Sequence, residues 1–482
     1  MKQSFLLVFM CCVGMLAMAQ TGYRIPVVLK PYKNQYVYLG YYYGKLKALA
    51  DSVLLDGNSS GSLAGKEKLP GGIYFLVSPR KEILFEVLLD KQQHFSITAD
   101  TASLPGSVQF TGSDDNTLFQ SYSKFTATSG TKINALLTDL KTARSKADSL
   151  KINDQLQVYN KQIQQYRTDL EARHPSSMLA AIFRTMKEPV VPPADKHPKK
   201  VYDSAFAYNH YKSQYWSGVS FTDERLIRTP IFEPKLEKYY KELVVPDPDS
   251  LNHEIDWMLQ KSESSKEMFK YLLTYFVQKY INPEYMGQDA VFVHLFEKYI
   301  NNNKQVDWFT EKYSKYMFDR AYSLMANLIG TPAYDLELVD TTGKKVVPLY
   351  SLQGPFTVIC FWDATCSHCK EVVPKLDSIF QAKWKKQGIQ LYGVMVDGGK
   401  EAWMNYLHEN KLQDWVHVYE TTAQKDSMYA AGKPNFRQLY DVSQTPLLYL
   451  LDKDKRIIAK KLTYLQMDEI INLKSRTAKS GK

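Results

Sequence analysis

Cysteine is scarce in this chain of 482 residues: there are five, against 34 tyrosines and 22 phenylalanines. So few thiols exclude a fold stapled by a framework of structural disulfides. Long hydrophobic runs are rarer still. The one near the start, Phe5 to Met18, is shorter than the about 20 apolar residues a membrane span needs. A mean hydropathy of −0.36 likewise excludes a polytopic membrane protein. Dense basic runs are also missing. The formal net charge is +10, but Lys and Arg are dispersed, and no basic run alternates with aromatics. Nucleic acid is therefore not an expected partner, and the positive excess reads as a solubility feature.

What is present starts with size. The chain exceeds what one hydrophobic core covers, so two or three domains are expected, and its many aromatics exclude large-scale disorder. Lys2 before the apolar run, and Ala17-Met18-Ala19 after it, make residues 1–19 a secretory signal cleaved after Ala19. Cys11 and Cys12 would leave with it, so three cysteines remain: Cys360, Cys366 and Cys369. Neither early cysteine has a lipoprotein setting. The expectation is a soluble protein of the periplasm or cell envelope, without an integral membrane span in the mature chain.

The patterning changes twice along the chain. Residues 20–113 read as a small β domain: Ile25-Val27-Leu29, Val37-Leu39, Val53-Leu55, Ile73-Phe75-Val77, Ile83-Phe85-Val87 and Phe95-Ile97 alternate with polar or small partners. The turns between them suggest an antiparallel β-sandwich. Residues 114–326 read as an all-α domain. Leu156, Tyr159, Ile163, Tyr166 and Leu170 mark one helix face, and Ser176-Ser177 offers a cap for a helix from Met178. The proline-rich stretch at 188–198 predicts a loop. The tyrosines of this region, among them Tyr239, Tyr240, Tyr271, Tyr275, Tyr280 and Tyr299, read as packing between helices. From 327 to 475 strands and helices alternate, with apolar runs at 357–361, 389–396 and 447–451, which implies an open α/β sheet. Residues 476–482 form a basic tail.

Chemistry concentrates in one stretch, Phe361-Trp362-Asp363-Ala364-Thr365-Cys366-Ser367-His368-Cys369. Two cysteines separated by two residues, where a strand hands over to a helix, suit a dithiol–disulfide switch. Cys366 at the helix N-terminus would be stabilised as a thiolate by unpaired N–H groups and the helix dipole. It would attack a substrate disulfide, and Cys369, one turn on, would resolve the mixed disulfide. A zinc site would need a second ligand pair that the chain lacks, and haem attachment would need His where Lys370 stands. No metal or other cofactor is expected. Cys360, inside the apolar strand, reads as a small buried hydrophobe.

Phe361-Trp362, the cysteine pair, Pro374, and Thr445-Pro446 before the last apolar run together resemble the thioredoxin superfamily. The long segment between Cys369 and Pro446, and the lead-in at 329–343, are similar to the exported TlpA/ResA-like thiol–disulfide oxidoreductases. The resemblance implies a C-terminal α/β thioredoxin-like fold with a Cys366–Cys369 redox disulfide. It also implies that Pro446 is a cis-proline facing the pair, and that Thr445 presents its backbone to a substrate cysteine. Trp362 is expected to be a packing wall. His368 resembles the dipeptide of oxidising members, where an imidazolium lowers the thiol pKa and makes the couple more oxidising than cytosolic thioredoxin. Two departures stand out. Thr365 replaces the usual Trp before the first cysteine, and the buried acid of the branch has only Asp397 and Glu401 as approximate counterparts. Upstream, the segment ending Phe110-Thr-Gly-Ser113 and the segment 221–232 resemble domains of unknown function in exported Bacteroidetes proteins.

These features imply an exported enzyme exchanging disulfides with protein substrates and served by an electron donor or acceptor in the envelope. Another reading makes it an envelope partner-binding protein with an auxiliary redox motif. A thiol peroxidase fits less well, because no proline precedes Thr365 at the required spacing.

Overall fold

The computed structural model describes residues 22–480 apart from 302, 304 and 305. The expected signal, with Cys11, Cys12 and the Ala19 cleavage point, lies outside the described residues, as do the last two residues of the expected tail.

Eight strands open the described chain: β1 (Tyr23–Lys30), β2 (Tyr36–Tyr43), β3 (Leu46–Leu54), β4 (Ser60–Gly65), β5 (Gly72–Val77), β6 (Ile83–Leu89), β7 (Ser96–Asp100) and β8 (Gln109–Thr111). They form two four-stranded sheets, ordered β4-β1-β7-β8 and β3-β2-β5-β6. Alternation selects the buried face. Ile25, Val27 and Leu29 of β1 meet Val37, Leu39, Leu76 and Val87 of the other sheet in one core. The sandwich is not antiparallel throughout, because β1 runs parallel to β7, with Val27 opposite Ile97. Five strands separate the two, so no hairpin turn sets their relative direction.

Helices follow. Ser113, Ser145 and Ser177 cap α1 (Asp114–Thr142), α2 (Lys146–Arg173) and α3 (Met178–Met186), each accepting a hydrogen bond from a backbone N–H of the first turn. The apolar faces of these helices cover Ile73 and Leu88 on the outer side of β5 and β6. Asn116 fixes α1 to β6 by accepting from Leu88 N and donating to Leu88 O, both at 2.8 Å. The 188–198 segment is a loop with one 3₁₀ turn at Ala194–Lys196. Beyond it come α4 (Ser204–Gln214), α5 (Phe232–Glu242), α6 (Pro248–Ser262), α7 (Lys266–Tyr280), α8 (Asp289–Leu295) and α9 (Glu311–Met325). Tyr239, Tyr240, Tyr271 and Tyr280 are buried. The segment 221–232 contains a short 3₁₀ helix, and its Arg225 donates to Asp90 at 2.6 Å and to Asp223 at 2.7 Å.

The helices divide between two compact units. One is formed by the chain through Leu243 with Lys261–Met268, and the other by Val244–Gln260 and the chain from Phe269 onward. The second unit carries β9 (Glu337–Asp340), β10 (Val346–Pro348), β11 (Phe356–Trp362), β12 (Gln390–Met395), β13 (Val416–Tyr419), β14 (Leu447–Asp452) and β15 (Ile457–Lys460). They form one mixed sheet, β10-β9-β13-β12-β11-β14-β15, in which β11 is parallel to β12 and antiparallel to β14. Both faces are covered, as the continuous apolar runs require. Val358, Cys360 and Trp362 point to the side of α10 (Ser367–Ile379), α11 (Lys400–Glu409) and α14 (Tyr464–Ser480), whereas Ile359 and Phe361 meet Phe436 and Tyr440. Between these lie α12 (Thr422–Ala430) and α13 (Phe436–Leu439). Among the described residues no helix is long and apolar enough to cross a membrane.

Candidate active site

The site forms where β11 ends in the middle of its sheet and the chain turns into α10. Asp363 builds the turn. Its Oδ1 accepts from the N–H and the hydroxyl of Thr365, both at 2.7 Å, which is the local bonding by which Asp initiates turns. Its backbone grips both cysteines: the carbonyl accepts from Cys366 N at 3.2 Å, and its N–H points at Cys369 Sγ at 3.4 Å. Gly398 closes over this carboxylate with φ +90°, and a Cβ there would lie 2.2 Å from Asp363 Oδ1. Only glycine meets both conditions.

Cys366 occupies the N-cap of α10 in extended backbone, half-buried, and Cys369 is fully buried one turn later. Both are thiols. Their environments push them apart. The Cys366 thiol is held below the ordinary cysteine range, first by the backbone N–H of Cys369. Hydrogen bonds from Thr445, the Cys369 thiol and the His368 backbone add to this, against the opposing effect of burial. Cys369 is pushed up to about 11 by burial. Cys360 is driven well up by complete burial, and the charge of Cys369 adds to it.

Thr445 faces the pair, its carbonyl oxygen 3.6 Å from Cys366 Sγ, and the Thr445–Pro446 bond is cis. His368 is exposed, and its backbone N–H is among the groups that hold the Cys366 thiol down. Trp362 is fully buried behind the pair, with its ring centroid 5.4 Å from that of Tyr406 and 6.3 Å from that of His417. The two candidate acids are not buried. Asp397 is exposed and paired with Arg437 at 2.6 Å, and Glu401 is exposed in the first turn of α11. The Gly398-Gly399 turn after β12 leaves both at the surface, so neither supplies a buried carboxylate.

The titratable side chain buried behind Trp362 is instead His417 of β13. Its Nε2 lies 2.7 Å from Leu412 O, and burial pushes its pKa down to about 4, so the ring is neutral. Gly393 of β12 makes room for it: a Cβ there would stand 2.8 Å from His417 Nδ1 and 3.3 Å from Trp362 Nε1. The Asp-x-Thr at the strand end is the signal that could have found Asp363 as the turn residue, whereas nothing in the sequence marks His417. Among the described residues no group of three His, Cys, Asp or Glu side chains could hold a metal ion.

The thioredoxin-like family model matches residues 354–457, which span this turn, the sheet centre and the Thr445–Pro446 loop. The C-terminal domain belongs to the thioredoxin-like family. Solved structures are similar to this chain as well. A domain of a possible thiol-disulfide isomerase from Cytophaga hutchinsonii is 31% identical, covering 32% of this chain and 97% of that one, with a TM-score of 0.28. A thioredoxin-like protein from Bacteroides caccae is 19% identical, covering 60% and 98%, with a TM-score of 0.44. A thiol:disulfide interchange protein from a Bacteroides species is 27% identical, covering 31% and 93%, with a TM-score of 0.26. No curated protein matches the chain. In the thioredoxin-like domain the dithiol thus sits at the carboxyl end of a central strand, where open α/β sheets place their sites.

Proposed function

We propose that the chain is an exported thiol–disulfide oxidoreductase that exchanges disulfides with protein substrates through Cys366 and Cys369. The observation that carries this reading is the split between the two thiols: one is accessible and biased toward thiolate, the other buried and biased toward thiol. The Cys366 thiolate attacks one sulfur of a substrate disulfide, and the other substrate sulfur leaves as a thiolate. Cys369, once deprotonated, then attacks Cys366 Sγ, releasing the reduced substrate and leaving a Cys366–Cys369 disulfide. The same steps in reverse oxidise a substrate dithiol. A donor or acceptor in the envelope restores the starting state. Thr445 lines the approach to Cys366, Pro446 shapes that loop, and Trp362 backs the pair. Export rests on the leader-like residues 1–19.

A Cys366 thiolate stabilised by N–H groups favours the reduced form, and a stabilised reduced form makes an oxidising disulfide. His368 contributes its backbone to that effect, and its ring, if protonated, would add to it. Equilibration with glutathione buffers should therefore give a reduction potential above the about −270 mV of thioredoxin, with no dithiol couple left in Cys366→Ser. A value at or below that figure would contradict the oxidising assignment, and a couple persisting in Cys366→Ser would contradict the site.

A further inference from the structure

The surface beside the dithiol continues past the thioredoxin-like sheet onto the helical segment before it. Val372 of α10, Pro446, Leu447, Leu462 and Tyr464 line a cleft of about 270 Å³ next to the cis-proline loop. A second cleft, of about 410 Å³, shares Gln444, Leu447, Lys461 and Leu462 with the first, so the two form one trough. Its far wall is the 282–287 loop between α7 and α8, including Pro283, Glu284, Tyr285 and Met286.

That wall is anchored. Met286 Sδ accepts from the Lys460 backbone N–H at 3.4 Å. The Lys460 ammonium, 2% exposed, donates to the Asp289 carboxylate at the start of α8 and to Asn327 O and Oδ1 at 2.7 and 2.6 Å. All three ammonium donors are therefore used, as a buried cation requires. The loop nevertheless leaves Tyr285 61% and Met286 41% exposed on the trough side of this anchor. The nearby cations are matched in number: Arg320 and Lys461 share the Asp441 carboxylate, and Glu284 of the loop adds a second carboxylate to the lining.

We infer that the 282–287 loop is the specificity wall of the disulfide-exchange site, and that it seats an aliphatic or aromatic side chain of the substrate polypeptide a few residues from its reacting cysteine. The inference rests on reading Cys366 as the nucleophile. A substrate sulfur that reaches Cys366 brings its chain alongside Thr445, whose carbonyl is 3.6 Å from that thiol. An extended chain advances about 3.3 Å per residue, so the residues next to the substrate cysteine run into the trough. Its floor and far wall offer Leu447, Leu462, Tyr285 and Met286, which reward apolar burial, while its paired charges demand no counter-ion.

The test compares exchange rates of the full chain with oxidised glutathione and with two disulfide-linked peptides carrying Leu or Ser three residues from the cysteine. The wild type should prefer the Leu peptide by roughly tenfold, as expected for one buried aliphatic side chain. Tyr285→Ser/Met286→Ser should lose most of that preference and keep its rate with oxidised glutathione. Tyr285→Ser alone, which leaves the Met286 sulfur on Lys460, should lose part of it. Exchange with glutathione but no peptide preference, or a preference that survives the double variant, would overturn the inference and leave the oxidoreductase reading standing. A wild type that exchanges with none of the three would overturn both.

Discussion

The two cysteines differ because backbone geometry treats them differently. Cys366 caps a helix and collects N–H groups that stabilise negative charge, whereas Cys369 lies inside the core, where charge is penalised. Alkylation should report this directly. At pH 7 iodoacetamide should modify Cys366 first. Cys369 should follow only as the pH approaches about 11, and Cys360 only after unfolding. Peptide mapping that finds Cys369 or Cys360 modified first at neutral pH would contradict the assignment. The cysteine pair was legible because its spacing is itself the chemistry. For His368 the sequence draws attention to the ring, whereas the backbone N–H that reaches the Cys366 thiol is one that any residue at this position would offer. Asp397 and Glu401 were candidates by position along the chain alone, and the glycine turn after β12 leaves both at the surface.

At the scale of elements, β11, its turn and α10 follow from a short list of causes: a run apolar on both faces, an Asp that folds the turn, and a cysteine in the cap. The neighbouring β13 adds a group that no motif announced. His417 is buried neutral, with its pKa near 4, so protons bind the unfolded chain more readily than the folded one between about pH 6.5 and pH 4. Its contribution to stability is complete above that window and is lost as the pH falls through it. Between pH 7 and pH 5 urea unfolding of the second unit should lose about 2 kcal/mol that His417→Gln does not lose. Equal pH dependence in the two proteins would show that the ring is not buried neutral. Strand directions were the least legible elements. The alternation that identified β1 and β7 is the same for either direction, and β1 proved parallel to β7. Similarly, β4 escaped notice because Leu63 is its one buried residue among small neighbours.

At the scale of the molecule, the sequence showed where strand patterning gives way to helix and where the redox motif lies. It did not show that the residues from Phe269 to Met325 pack with the C-terminal sheet. The reason is physical: Lys460, Asp289 and Asn327 are far apart along the chain, and each alone reads as an ordinary surface residue. Their joint burial ties those helices to β15 and so to the neighbourhood of the dithiol. The scarcity of cysteine acquires its meaning at the same scale, because with Cys360 sealed in the core the described chain holds a single pair poised for exchange. The most direct measurement is to incubate full-length Cys369→Ser with envelope proteins and separate the products without reductant. The account predicts reductant-sensitive mixed disulfides through Cys366 that disappear in Cys366→Ser/Cys369→Ser. No adduct under oxidising or reducing buffers, or adducts that persist in the double variant, would contradict it.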